Sequence, residues 1–162
     1  MDFFITRDLS DSPDSFVVYD SLGNICYKLA NKATNASQKF YLLNSDNEKN
    51  GKIKIIPLPM LRAFSITADN RNIRLVVNVK NKKVFCYFYG IGWHVVGSLF
   101  THSFDFLDVD NSVVATQTKS YSNGFNSYQL KVNRETSQHL CICAALCLDM
   151  ITTVDNPLTQ AV

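Results

Sequence analysis

The chain has 162 residues, 46% of them hydrophobic and 19% charged, a balance that excludes a disordered polymer and fits one globular domain. Its net charge is only +2, yet residues 28 to 83 hold twelve of the sixteen Lys and Arg and just three acids (Asp46, Glu48, Asp69), a local balance of +9. The flanks sum to −4 over residues 1 to 27 and −3 over residues 84 to 162, so a basic middle permits an anionic partner without requiring one.

Met1-Asp2-Phe3-Phe4 carries no basic leader, and Arg7 and Asp8 interrupt any apolar run, so no targeting signal is expected. Five cysteines, three of them crowded at Cys141, Cys143 and Cys147, do not make a secreted disulfide framework. A cytoplasmic protein is the expectation, and the Asn35-Ala36-Ser37 sequon is then an accident of composition. The 19 aromatics (11 Phe, 7 Tyr, 1 Trp) suit a β-rich core.

In chain order, Phe16 to Tyr19 runs through the turn residues Asp20 to Asn24 into Ile25 to Leu29, a hairpin signature. Lys52-Ile53-Lys54-Ile55 alternates charge and apolar residues as a half-buried strand does, and Pro57 and Pro59 end it or confine it to an edge. A second hairpin spans Ile73 to Tyr89, with Leu75, Val77 and Val79 on one face and Arg74, Val76, Asn78 and Lys80 on the other. Asn81-Lys82 supplies its turn. Trp93 to Gly97, Phe104 to Leu107, Val113 to Gln117 and Ser127 to Val132 add further strands. With no helix between them, these strands make a sandwich or barrel rather than parallel units.

An internal repeat runs at an offset of 88: Ser15-Phe16 falls on Ser103-Phe104, Asp20 on Asp108, and Phe40 and Leu42 on Tyr128 and Leu130. Two related halves follow. One segment breaks the β pattern. Leu140 to Leu148 is nine apolar residues in a row, and Thr136 or Ser137 can cap it as a helix. It has no solvated face, so it belongs inside a protein or a membrane. A span needs about 20 apolar residues, and Asp149 arrives too soon. A buried core helix of about 15 residues, roughly 22 Å long, is expected instead.

Trp93-His94-Val95-Val96-Gly97, Phe104-x-x-x-Asp108, Val113-Val114-Ala115, Tyr128-x-Leu130-x-Val132 and the helix from Leu140 to Ile151 resemble the second half of a LURP-one-related protein. Phe16 through Tyr27 resembles the matching hairpin of the first half, and the resemblance covers about residues 3 to 153. It implies a mainly β fold shared with tubby C-terminal domains and phospholipid scramblases. In that fold about twelve antiparallel strands, in two similar halves, form a closed β-barrel around a central hydrophobic C-terminal α-helix. Residues 1 to 155 then form one domain, with the buried helix at about 137 to 152 and a tail from 156 to 162. The lipid-binding motif of tubby domains is not matched residue for residue, and the acidic calcium segment of scramblases is missing beside the helix. The resemblance implies a fold and leaves the mechanism open.

Candidate chemistry is thin. Cys143 and Cys147 share a helix face, Cys141 points away, and Cys26 and Cys86 stand alone, which fits core filling better than zinc. His94, His102 and His139 lack an exposed thiol or a nucleophile motif to serve. Asp105-x-x-Asp108-x-Asp110-Asn111 lacks the glycine and glutamate of a calcium loop and reads as a turn. Gly90-Ile91-Gly92-Trp93 is a tight link, too short to cradle phosphate. No enzyme activity, metal or cofactor is expected.

The functional lead is the basic cluster: Lys52 and Lys54 on one strand face, Lys49 before them, and Lys80, Lys82 and Lys83 around a hairpin tip. Such lysines meet anionic lipid at about 1 kcal/mol each, or simply keep an edge solvated. The expected function is a non-enzymatic binding or scaffold module, attached to anionic membrane lipid or to another protein; a nucleic-acid partner is not expected. The alternative is a carrier of a small apolar ligand inside the barrel.

Overall fold

The computed structural model describes residues 1–8, 15–31, 38–80, 83–98, 101, 103–120 and 127–153, and only the backbone at Asp8, Ser15, Val79, Lys80, Lys83, Val84, Thr152 and Thr153. The strands are β1 (Asp2–Asp8), β2 (Ser15–Tyr19), β3 (Ile25–Asn31), β4 (Lys39–Asn44), β5 (Lys49–Leu58), β6 (Leu61–Ala68), β7 (Arg71–Lys80), β8 (Lys83–Tyr89), β9 (His94–Ser98), β10 (Ser103–Leu107), β11 (Val113–Ser120) and β12 (Ser127–Val132). A 3-10 turn (Glu135–Ser137) then leads into α1 (Gln138–Thr153). The expected strands are present. The additional β1 and β6 carry the same alternation: Phe3 and Ile5 point inward from β1, and Phe64 and Ile66 from β6, all at most 3% exposed.

All twelve strands join one antiparallel sheet in the order β8-β7-β6-β5-β4-β3-β2-β1-β12-β11-β10-β9. The β1–β12 ladder, from Asp2 opposite Lys131 to Thr6 opposite Ser127, brings the two ends of the strand region together and curls the sheet into a barrel. The ring differs from the closed barrel expected in one respect. Among the described residues no ladder joins β8 to β9, which are the sheet's two edges. Aromatic rings span that seam instead. Phe88 of β8 meets Trp93 at 6.0 Å and Phe106 of β10 at 5.8 Å, both edge-on, and Trp93 stacks on Phe106 at 6.0 Å. Such edge-on and stacked pairs are favourable beyond the area they bury.

The repeat at offset 88 is present in the backbone. In the β2–β3 turn, Asp20 N–H donates to Asn24 O and Gly23 N–H to Asp20 O; in the β10–β11 turn, Asp108 N–H donates to Ser112 O and Asn111 N–H to Asp108 O. Both β2 and β10 shift register just before the turn, at Val18/Tyr19 and Phe106/Leu107. The match covers β2–β4 and β10–β12; β5 to β8 have no counterpart at this offset. The β4–β5 turn adds a third copy of the same design, with Asn44, Asn47 and Glu48 in the corresponding roles.

The helix α1 fills the barrel. Every residue from Leu140 to Leu148 is at most 2% exposed, and full burial of a leucine or isoleucine side chain contributes about 1.5–3 kcal/mol. The expected local cap is replaced by a distant one. Thr136 and Ser137 lie in the 3-10 turn, and Asp69, from the β6–β7 turn, accepts the Leu140 N–H at 2.8 Å. A carboxylate at a helix N-terminus satisfies an unbonded amide and meets the positive end of the dipole. No helix among the described residues is long and apolar enough to cross a membrane.

Gly51 of β5 shows how closely the sleeve fits. A Cβ at that position would stand 2.7 Å from Cys143 Sγ, inside contact distance. We expect Gly51→Ala to lower the unfolding free energy by ~1–3 kcal/mol, the usual cost of overpacking. Adding Cys143→Ala to that variant should recover part of the loss in chemical denaturation, a coupling read as a double-mutant cycle.

Candidate functional site

Register assembles a surface that the linear sequence only hints at. Strands β4 to β8 are neighbours in the sheet, and none of the five contains an Asp or Glu. Across their outer face one row runs Lys39, Lys54, Ser65, Arg74, Tyr89, each opposite the next. The adjacent row runs Tyr41, Lys52, Thr67, Asn72. With strands about 4.8 Å apart, the cations of the first row lie within about 15 Å of one another. Lys49 extends the group, its Nζ 4.2 Å from the centre of the Tyr41 ring.

Lys52 and Lys54 thus stand where the sequence puts them, on one face of β5. Lys80 and Lys83 are paired across the end of the β7–β8 hairpin; their side chains, and all of Lys82 and the Asn81-Lys82 turn, lie outside the described residues. Lys39 and Arg74 complete the face and were missed as site residues, because only the β4–β5 and β6–β7 registers bring them beside Lys54.

The three acids of the basic segment are kept at one end. Asp46 and Glu48 sit in the β4–β5 turn and Asp69 in the β6–β7 turn, which antiparallel order places at the same end of the barrel. The β5–β6 and β7–β8 tips lie at the opposite end. Asp20, Asp108 and Asp110 also occupy turns at the acidic end, where they are engaged with protein. Asp20 accepts from the N–H groups of Leu22 and Asn24, each at 2.9 Å. Asp108 pairs with Arg134, whose guanidinium holds its carboxyl below the usual range. Asp110 accepts from Ser112 and is likewise held low, and Asp105 accepts from the Thr116 hydroxyl at 2.6 Å. Among the described residues no group of three or more His, Cys, Asp or Glu is arranged to hold a metal ion.

One polar cluster has the composition of a catalytic relay. Asp69 Oδ1 lies 2.7 Å from His139 Nδ1, and His139 Nε2 lies 3.0 Å from the Tyr27 hydroxyl. Gln138 Nε2 donates to the same hydroxyl at 2.9 Å. A carboxylate only accepts, so Nδ1 carries the proton, and in the neutral imidazole Nε2 then accepts from Tyr27. Burial pushes the Tyr27 hydroxyl's pKa up, opposite to what a nucleophile needs. The cluster binds the start of α1 to β3 and to the β6–β7 turn, and its geometry explains that attachment fully. His94 is exposed on β9, and His102 lies outside the described residues.

The cysteines of α1 face the core. Burial pushes the thiol of Cys141 up to about 12 and those of Cys143 and Cys147 up as well, so none is poised as a thiolate. At the basic end, an open cavity of about 730 Å³ lies between the β5–β6 hairpin and the end of the helix, with Phe40, Ile55, Phe64, Met150, Ile151 and Arg62 in its lining.

Compared with known proteins, residues 1–149 match the family model described as LURP-one-related. The chain belongs to the LURP-one-related family. Its fold is similar to the crystal structure of an Arabidopsis thaliana protein, At5g01750, with a TM-score of 0.60 at 15% identity, covering 92% of this chain and 90% of that one. No curated protein matches the sequence. At 15% identity the likeness carries the fold alone, so the function of this LURP-one-related chain has to be argued from its own surface.

Asp149 provides a test inside the helix. It is 3% exposed and bonded to the buried Tyr128 hydroxyl; burial raises its carboxyl from 3.8 to about 6, with Tyr128 and Arg7 pulling the other way. The folded state therefore holds this proton more tightly than the unfolded chain. Stability from this group is complete below about pH 4, falls as pH rises toward 6, and is ~3 kcal/mol lower above that. We expect the melting temperature of Asp149→Asn, relative to wild type, to rise steadily between pH 4 and 6 and then level off. A difference that does not change with pH would mean that Asp149 titrates normally.

Proposed function

We propose that this chain is a non-enzymatic cytoplasmic module that attaches to anionic membrane lipid through the outer face of β4 to β8. The observation that carries this reading is the charge arrangement: five neighbouring strands with no acid and with Lys39, Lys52, Lys54 and Arg74 on one outer face in two adjacent rows. Hydroxyl and amide groups of Tyr41, Ser65, Thr67, Asn72 and Tyr89 lie between the cations and can bond phosphate oxygens. The acidic turns at the other end repel the same surface, which favours attachment in one orientation. A phosphoinositide or another anionic headgroup meets the chemistry of this face, and the broad, acid-free spread of its cations across five strands suits a flat anionic surface.

A second reading, a carrier of a small apolar ligand, has the cavity of about 730 Å³ at the basic end in its favour. Against it stands the barrel's interior, already taken by Leu140 to Leu148.

The test is co-sedimentation with vesicles. Wild-type protein should bind vesicles containing phosphatidylserine or phosphoinositide, should not bind phosphatidylcholine vesicles, and should bind less as salt rises. Replacing Lys39, Lys52, Lys54 and Arg74 together with Gln should weaken binding by up to ~4 kcal/mol, at about 1 kcal/mol per cation. The melting temperature should barely change, since none of the four is buried. Equal binding by wild type and variant, or no preference for anionic vesicles at low salt, would end this proposal.

A further inference from the structure

The hairpin between β5 and β6 closes in two residues, Pro59 and Met60, with Leu58 opposite Leu61. Proline at the first corner and a positive φ at the second is the type II pattern, and the second corner calls for Gly or Asn. Met60 takes that corner at φ +62. The other described residues at positive φ are Gly23, Asn47, Asp69, Asn70, Gly90, Gly97 and Asn111, the residue types that tolerate it. Met60 therefore departs from the chain's own rule for turns.

Packing does not explain the departure, because Met60 is 99% exposed. Leu58 beside it is 44% exposed, and Pro57 and Pro59 are exposed too. The result is an apolar tip at the end of the barrel opposite the acidic turns. Cationic residues lie nearby in the fold: Arg62 stands two positions beyond Met60, the β7–β8 hairpin, whose end pairs the backbones of Lys80 and Lys83, closes at the same end of the barrel, and Lys54 lies four positions before Leu58 on the same strand face. An apolar tip with cationic residues set back from it matches the layering of an anionic bilayer, with acyl chains beneath phosphate.

We propose that the β5–β6 tip is an insertion element: Met60 and Leu58 enter the acyl layer of an anionic membrane while the surrounding cations remain at headgroup level. This rests on the anionic-lipid reading above and adds to it a depth and an orientation, with the barrel tilted so that the tip and the outer face of β4 to β8 reach the membrane together. It also assigns a use to a methionine that both costs the turn its preferred residue and exposes an apolar side chain to water.

Two variants test it. Met60→Asn restores a turn-favoured residue, so its melting temperature should equal or exceed that of wild type, while binding to phosphatidylserine vesicles should weaken roughly ten- to a hundred-fold, the loss expected for one buried methionine side chain. Met60→Trp should bind at least as well as wild type. Its emission should shift to the blue on anionic vesicles and be quenched by lipids brominated on the acyl chain; Trp93, 5% exposed, supplies a constant background. If wild type binds anionic vesicles but Met60→Asn binds equally and the emission of Met60→Trp is unchanged, insertion is overturned and the electrostatic reading stands. If wild type shows no binding to anionic vesicles at all, both fall together.

Discussion

A helix with no polar face sets the terms for everything else in this fold. Leu140 to Leu148 cannot lie on a surface, since every side of it is apolar or cysteine. It needs a sleeve that reaches all the way round, and an antiparallel sheet supplies one when its strands curl until β1 meets β12. Inward side chains such as Phe3, Phe40, Ile53 and Leu130, at most 1% exposed, are then spent on the helix rather than on a ligand. Gly51 marks where sleeve and helix come closest. The same enclosure forces Asp149 to share the interior, and its raised carboxyl pKa follows from that placement.

Enclosure also explains how the helix is held at its entrance. A dry interior leaves the first helical amides without water, so partners must come from the barrel rim. Asp69 serves Leu140 and His139 together, Gln138 and His139 converge on Tyr27, and Arg134 anchors the preceding segment on Asp108. These polar contacts hold Asp69 and Asp108 at one end of the barrel. The charge asymmetry of the molecule is thus partly a consequence of how its helix is fastened, and the basic end is left without acids to offset it among the described residues of β4 to β8.

The fold was largely legible in the sequence because its signals are local. Alternation at Lys52 to Ile55 and Ile73 to Val79, turn residues at Asp20 to Asn24, and nine apolar residues in a row each state their environment within a few positions. The repeat was legible for the same reason, since the paired turns at Asp20 and Asp108 use the same residues for the same bonds. What local reading missed depends on register. Nothing near Leu140 in the chain announces Asp69 as its cap, and nothing near Lys54 announces Lys39 and Arg74 as neighbours. The open β8–β9 seam was hidden for a related reason: the apolar residues at Phe88, Trp93 and Phe106 read as ordinary strand positions, and only their contacts show rings standing where a ladder would be.

Position along the barrel, more than the count of lysines, decides what the basic middle can do. Scattered over a sphere, a balance of +9 in one segment would be screened within about 8 Å at physiological salt and would steer nothing in particular. Confined to adjacent strands, with the segment's three acids sent to the far turns, it becomes a face with a direction. Met60 stands at the tip of two of those strands, away from the acidic turns, the one exposed turn residue among those described that is chosen against the rules of turns. Two features with different physical origins, one electrostatic and one conformational, are therefore built on the same strands. A solvated edge would explain the lysines alone, but it gives no reason for an apolar side chain at a corner that favours asparagine or glycine.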